Sequence, residues 1–449
     1  MVQLNSTSCR QDDAYCNPAM RTLHELRSAK PHVRFIRFQW QDYSGILRGR
    51  VVPLEYGLQL VKSNTNVSLS PIAFQCLVDN TFIPWLNARG THYLVADWPS
   101  LNVINESGPG PAYATVMCSI GGRTPMNRTL NQSFCPRQAL VDVVRAAQEQ
   151  FGIRFLCGLE VEFEVMKVSD GNIVPMSAGY GRYAIDGLRD PCYQYVEEAA
   201  QEMLEAGVAM QTIQAEGIRG QYEISMAPLS PLAALDQLVL AQDILKRVFS
   251  RHGCIVTMSP VTSEDAVQAL GQHTHISIDQ PSKESSFLAG ILKRLSAICA
   301  FSMPYEISYA RCQKYMGGEA VAWGTEDRAA TIRKINPGHW ELRNVDATAN
   351  MYATLAAIIG AGLLGIQKDE PLTWPDTGLP ENISAIAEAE RLPSSVTEAL
   401  DALEKDLEDL GTVVSKTMLQ DYLAVKRFEA DRLKNMEAKQ LREMLMKLF

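Results

Sequence analysis

Three things are scarce in this sequence, and each scarcity removes a class of function. Basic residues are not in surplus: 42 Lys and Arg stand against 51 Asp and Glu, leaving a net charge of −9. A duplex-binding surface would show as clustered Lys and Arg, so no nucleic acid is expected as a partner. Long apolar runs are also missing. The longest, "MYATLAAIIGAGLLGI" from 351 to 366, is interrupted by glycines and falls short of the ~20 residues a bilayer span needs; it reads as a buried helix, with no membrane partner. The ten cysteines lack CxxC pairing and His/Cys ligand spacing, which argues against a disulfide scaffold and a structural zinc and fits a reduced compartment. The opening "MVQLNSTSCRQDDAYCNP" has no basic start followed by an apolar stretch, so no secretory signal is expected. The cytoplasm is then the default location, and the sequon at Asn5 reads as chance.

What is present is the composition of an ordinary globular protein, 46% apolar and 21% charged. At 449 residues the chain exceeds the size at which one core stops growing, so two domains are expected, one of them large. Residues 1–30 are polar and read as a tail or loosely docked arm. "HVRFIRFQWQDYSGILRGRVVPL" reads as two strands around the turn "QDYSG", and further strands follow in "HYLVADWPSLNVI" and "AYATVMCSI". The stretch "GGRTPMNRTLNQSFCP", 121–136, breaks this pattern and closes a small β-rich domain over 31–130. The remainder, 131–449, forms the larger domain.

There the period changes from two to 3.6. Leu140, Val143, Val144, Ala147 and Phe151 share a helix face that Gly152 terminates. Asp190 and Pro191 mark the start of a helix running to about Gly207. "LAALDQLVLAQDILKRVFSRHG" is a further helix, "CIVTMSP" and "HTHISI" are strands, and the last seventy residues are helical.

The chemistry starts in "GLEVEFEVM", 158–166, where Glu160, Glu162 and Glu164 alternate with Val161, Phe163 and Val165. Alternation on a strand puts the three carboxylates in one row, neighbours ~6.6 Å apart. That spacing suits two neighbouring cations better than one. Alone, such a row fits a sheet facing water equally well. Other segments add Glu216 and Glu223 in "AEGIRGQYEIS", His273 and His275 in "GQHTHISI", and Glu341 beside Arg343 in "HWELRNVD". Each is weak by itself, since a lone Glu is usually solvated and a His pair on a strand is more often hydrogen-bonded core.

Together, in order and spacing, these segments resemble the metal-binding series of the glutamine synthetase superfamily: two alternating Glu on a strand, "E…GQxE", "HxH" and "ExR". "DYSGILRGR", "ERLPSSVTEALDALEKD" and "DYLAVKRFEADR" extend the resemblance to the C-terminus. It implies an α+β fold, with a small β-grasp-like domain and a large catalytic domain whose antiparallel sheet lines a funnel flanked by helices. It implies two Mg²⁺ or Mn²⁺ ions per site. Glu162, Glu216 and Glu223 would hold the one near the carboxylate substrate, and Glu160, His273 and Glu341 the one near the phosphates of ATP. By the same resemblance Arg328 and Arg333 grip phosphates and the transferring group, with Arg328 catalytic. His275 and Ser277 lie near phosphate and adenine, and Arg311 and Arg343 hold the two carboxyl ends of glutamate. Glu164 matches no role and is read as structural or solvated. Homo-oligomers of stacked rings, decamers or dodecamers, are also implied.

Departures from the family pattern narrow the expected reaction. The loop that would supply an ammonium-binding Asp reads "SLSPIAF", 68–74, and the flap reads "QKYMGGEAVAWG", in which Glu319 stands closer to the Trp-Gly than the family's catalytic Glu and is either its shifted catalytic replacement or a loop acid. Gln268 and Ala269 replace the substrate-contacting Asn-Gly. Loss of the ammonium-site acids is shared with γ-glutamylpolyamine synthetases and related γ-glutamyl-amine ligases. The expected activity is therefore ATP-dependent joining of glutamate, or a related acid, to an amine through an acyl phosphate. The alternatives are an ammonia-using enzyme with a rearranged flap and a catalytically silent assembly protein.

Overall fold

A computed structural model describes residues 17–85, 89–104, 111–124, 126, 128–264 and 268–449. Residues 1–16 of the expected arm, and positions 125 and 127 of the expected boundary, lie outside the described residues. The rest of the arm is a helix, Pro18–Ala29, started by Asn17, whose side chain accepts from the backbone N–H of Ala19 and Met20. Leu23 on this helix is fully buried.

The first sheet is built on the expected hairpin. Strands Phe35–Gln41 and Leu47–Pro53 pair antiparallel around a turn in which the Asp42 carboxylate accepts from Ser44 and Ile46 N–H. Gly45 takes a positive φ of 79° there, and a Cβ at this position would collide with the Thr348 carbonyl. Strand Tyr113–Arg123 lies parallel to Phe35–Gln41 and pairs antiparallel with Thr91–Ala96 and Asn102–Ile104, and Val67–Leu69 closes the far edge. Two parallel strands at the centre with hairpin-like edges make the β-grasp-like arrangement.

The second sheet has nine strands. Its axis is Phe155–Ser169, flanked antiparallel by Gln221–Met226 on one side and Thr274–Ile278 on the other. His339–Leu342 pairs with Thr274–Ile278, and Ile332–Asn336 pairs with His339–Leu342. One pairing is parallel, between Trp323–Thr325 and Ile332–Asn336. Val161, Phe163 and Val165 of the axial strand are buried on the face opposite the acids, and Phe163 packs against Phe249 of helix Pro231–Arg251 at 6.4 Å. The acids are thus held by a strand whose other side is core.

Helix Met351–Gln367 is buried over nearly its whole length, which is why its sequence is apolar on every side; among the described residues no single helix is long and apolar enough to cross a membrane. The helix expected from Asp190 begins at Tyr193, because Asp190 accepts from the Cys192 N–H and caps the turn before the helix proper. The C-terminal segment forms helices Val396–Leu410, Lys416–Leu433 and Ala438–Leu448, of which Lys416–Leu433 reaches the small domain. Lys426 and Glu429, both buried, pair with each other, and Glu429 accepts from Ser44 Oγ at 2.7 Å and Val78 N–H at 2.8 Å. One contiguous apolar cluster takes in residues of both sheets, from Leu23 to Val425.

Candidate functional site

The register of the axial strand decides which side chains meet. Glu162 stands directly opposite Glu223, Glu160 opposite Ser225 and Glu164 opposite Gln221. On the other edge the Glu160 and Glu162 N–H groups donate to the His273 and Gly271 carbonyls, and Glu162 Oε2 accepts from the Gly271 N–H at 2.7 Å. His273 is thereby brought over the acid row: its Nδ1 lies 3.0 Å from Glu160, 3.4 Å from Glu341 and 3.7 Å from Glu162. His275 Nε2 lies 3.2 Å from the other Glu160 oxygen, while its Nδ1 faces His339 at 3.2 Å. Ligand atoms of Glu160, His275 and Glu341 fall within 4.8 Å of one another.

Glu160, Glu162, Glu216, Glu223 and His273 share a cavity of about 640 Å³ with Arg311, Arg343, Arg328, Gln268 and Ala269. Glu341 is buried beside it, with His273 on one side and the guanidinium of Arg343 on the other. Crowding of acids sets the electrostatics. Glu223 is pushed up to about 8 by burial and by the charges of Glu160, Glu162 and Glu216. Burial and Glu162 also raise Glu216. Glu160 is held far below the usual carboxylate range, since its hydrogen bonds to His273 and His275 outweigh its burial. Glu341 is likewise lowered: burial is overcome by His273 and Arg343.

The remaining expected residues divide. Arg333 donates to Glu341 at 3.1 Å and also pairs with Glu326. Arg311 is fully buried, and its terminal nitrogens donate to the Ala269 and Arg343 carbonyls at 3.1 and 2.9 Å. Among the described residues no carboxylate pairs with it, its Nε has no partner, and burial pulls its pKa down. Ser277 follows His275 at i+2 on the same strand. Gln268 donates to Glu216 Oε1 at 3.3 Å and accepts from Arg182 at 3.0 Å.

Glu319 is not brought to the cavity. It lines a neighbouring hollow and pairs with Arg391 at 3.0 Å. Glu164 is buried rather than solvated, accepting from Gln221 Nε2 at 3.2 Å, and burial raises its pKa.

Sequence reasoning missed Arg182, Tyr183, Gln214, Ser225, Lys314, Tyr315 and Met316, all in the cavity wall. Ser225 was accessible to it: it follows Glu223 at i+2 on a strand, and it donates to that carboxylate at 3.2 Å. Gln214 lies on the strand Met210–Ala215, opposite Glu223, to which its Nε2 donates at 3.2 Å; the others sit on loops whose course no periodicity announces.

The glutamine synthetase catalytic domain matches residues 133–444 of this chain. The chain is 30% identical over 443 residues to Protein fluG of Emericella nidulans, aligning 95% of itself with 50% of that protein, so it spans half the length of this relative. It is 28% identical over 423 residues to Gamma-glutamylpolyamine synthetase GlnA3 of Streptomyces coelicolor, covering 84% of this chain and 86% of that one. Gamma-glutamylanilide synthase of an Acinetobacter species is 24% identical over 445 residues, with 88% and 87% covered. A solved structure titled as a novel glutamine synthase homolog superposes with a TM-score of 0.79 at 23% identity, over 93% of this chain and 99% of that one, and supports the fold.

Proposed function

This chain belongs to the glutamine synthetase family of carboxylate–amine ligases, and on that footing we propose that it forms a γ-glutamyl amide from glutamate, or a related acid, and an amine at the expense of ATP. The observation that carries the reading is the meeting of Glu160, Glu162, Glu341 and His273 beside the cavity that also holds Glu216 and Glu223.

The donor set fits divalent cations. Buried acids at this density are costly without positive charge, which is why Glu223 holds its proton up to about 8, and the buried Oε2 of Glu216 has no hydrogen-bond partner among the described residues. Oxygen ligands with few imidazoles suit Mg²⁺ or Mn²⁺. Glu162, Glu216 and Glu223 would hold one cation and Glu160, His273 and Glu341 a second, with His275 within reach of the latter. When bound, such cations neutralise charge on the phosphate oxygens.

In the reaction an oxygen of the γ-carboxylate attacks the terminal phosphorus of ATP, the bond to the bridging oxygen breaks and ADP leaves. The lone pair of the amine then attacks the acyl carbon, the C–O bond to phosphate breaks, inorganic phosphate departs and the nitrogen loses a proton to water. Arg328, exposed in the cavity wall and free of ion pairs among the described residues, is available to offset charge on the transferring group. Arg333 stands behind Glu341. Arg311 supplies a buried guanidinium that makes no ion pair among the described residues, an environment that favours a substrate carboxylate. Arg343, tied to Glu341, faces the carboxylate being activated. Because Glu319 is paired elsewhere, the amine enters neutral rather than being deprotonated by a flap acid.

The test is Mg²⁺- and ATP-dependent phosphate release with glutamate against ammonia, hydroxylamine, monoamines and polyamines. The proposal expects an organic amine to be the best acceptor. Ammonia as the best acceptor would overturn it, and no turnover despite bound ATP would point to a silent relative.

A further inference from the structure

The wall of the same cavity carries charge that the ligase reading leaves unused. Resting on that reading, we propose that the acceptor amine bears an anionic group, a carboxylate or phosphate, at its far end and no second ammonium.

Five cationic side chains line the cavity: Arg182, Arg311, Lys314, Arg328 and Arg343. Arg343 is neutralised by Glu341. Arg311 and Arg328 are accounted for by the acid substrate and the transferring phosphoryl group. Arg182 and Lys314 remain. Neither makes an ion pair among the described residues: Arg182 donates only to Gln268 Oε1, and Lys314 lies over the Tyr315 ring at 5.0 Å.

Both cations sit on segments anchored to the cavity. The Tyr183 N–H donates to the Ala215 carbonyl, and the Tyr315 carbonyl accepts from Arg343 at 3.4 Å. Tyr183 and Tyr315 themselves, adjacent to Arg182 and Lys314, have positive φ angles of 61° and 69° while remaining largely exposed in the wall. Bulky side chains occupy that backbone region only when their surroundings impose it, and such positions gather at ligand-binding sites. Two cations without an ion pair among the described residues, on two imposed turns facing one cavity, make an environment for an anion.

The acids nearby do not reverse this. Those in the cavity are committed to the proposed cations. In the neighbouring hollow, which shares Lys314 and Tyr315 with the first, Glu319 is paired with Arg391 and Glu326 with Arg333. Asp327 there accepts from Thr377 Oγ1 and the Ala329 N–H. Asp327 is the carboxylate of that hollow without a cationic partner among the described residues, and both its oxygens already accept hydrogen bonds, so a distal ammonium would meet Arg182 and Lys314 before any free carboxylate oxygen there.

The test uses three acceptors of matched length and opposite tails: γ-aminobutyrate, n-butylamine and putrescine. Phosphate release with ATP, Mg²⁺ and glutamate gives kcat/KM for each, and hydroxylamine, which has no tail, reports the ligase reaction itself. The proposal expects γ-aminobutyrate first and putrescine last, separated by at least about tenfold, since like charge disfavours the wrong partner. In Lys314→Glu and in Arg182→Glu the ratio of γ-aminobutyrate to putrescine should fall about tenfold; a ratio taken on one preparation is insensitive to partial misfolding. Putrescine used as well as or better than γ-aminobutyrate, or a ratio unmoved by both substitutions, overturns the proposal while hydroxamate formation leaves the ligase reading standing. Absence of hydroxamate overturns the ligase reading and this inference with it.

Discussion

Glu162 and Glu223 are direct cross-strand neighbours, two carboxylates facing each other at the cavity floor. Burial first, and then the charges of Glu160, of Glu162 opposite and of Glu216, lift Glu223 to about 8. Below that pH a cation entering the site has to expel the Glu223 proton. Mn²⁺ affinity should therefore rise with pH, by up to about tenfold per unit, and level off above about pH 8. The metal-free protein should behave in the opposite sense. Native Glu223 keeps a proton that the unfolded chain has already lost, so stability falls as pH climbs from the ordinary carboxylate range through about 8. Calorimetric Mn²⁺ titrations and metal-free denaturation curves across this range check both signs.

The row of three acids predicts an asymmetric response to substitution. Glu162→Ala should abolish metal-dependent turnover, a loss of at least about a hundredfold given that even outer partners of metal sites cost that much. Glu164→Gln should retain most activity, because Glu164 faces Gln221 rather than the cation cluster. It should also flatten the dependence of stability on pH. Burial raises Glu164, so its ionisation destabilises the native state as pH rises past its unfolded value, and glutamine removes that contribution. Steady-state rates and denaturation of the two variants decide the matter; equal loss of activity would refute the assignment of the strand face.

Arg311→Met should raise KM for the acid substrate about ten- to a hundredfold, the scale of a lost charge-assisted hydrogen bond, while leaving Mn²⁺ binding close to that of the unaltered protein. Its guanidinium is held by backbone carbonyls and no carboxylate, so its removal disturbs no ion pair. Kinetics in the acid substrate, set beside a Mn²⁺ titration, separate this outcome from general disruption.

Glu429→Ala should destabilise the protein by about 3–5 kcal/mol, measured by chemical denaturation, because it strands the buried Lys426 ammonium. The same change removes the acceptor for Ser44 and Val78, by which helix Lys416–Leu433 grips the hairpin turn and the 78 segment of the small domain.

Much of the site was legible because strands have a period of two. Glu160 with Glu162, and His273 with His275, are i and i+2 pairs, and any register that buries Val161 and Phe163 sends both acids to the other side. The register itself was not legible: nothing in "GQYEIS" says that Glu223, rather than Ser225, stands opposite Glu162. Glu319, the candidate flap acid of the sequence, lies apart from the site for a different reason. The chain turns at Gly318, with φ of 80°, and residues 319–321 then pair with the 390–392 segment, carrying the Glu319 side chain to the adjacent hollow. Arg182 and Lys314 lie on irregular loops, where tertiary anchoring and not local pattern decides what faces the cavity.

The most direct test is to count divalent cations bound per chain, by Mn²⁺ titration followed by electron paramagnetic resonance, in the unaltered protein and in Glu162→Ala with ATP present. The account expects two ions per chain in the first and the loss of at least one in the second. Two undisturbed ions in Glu162→Ala, or no specific binding in either protein, would contradict it.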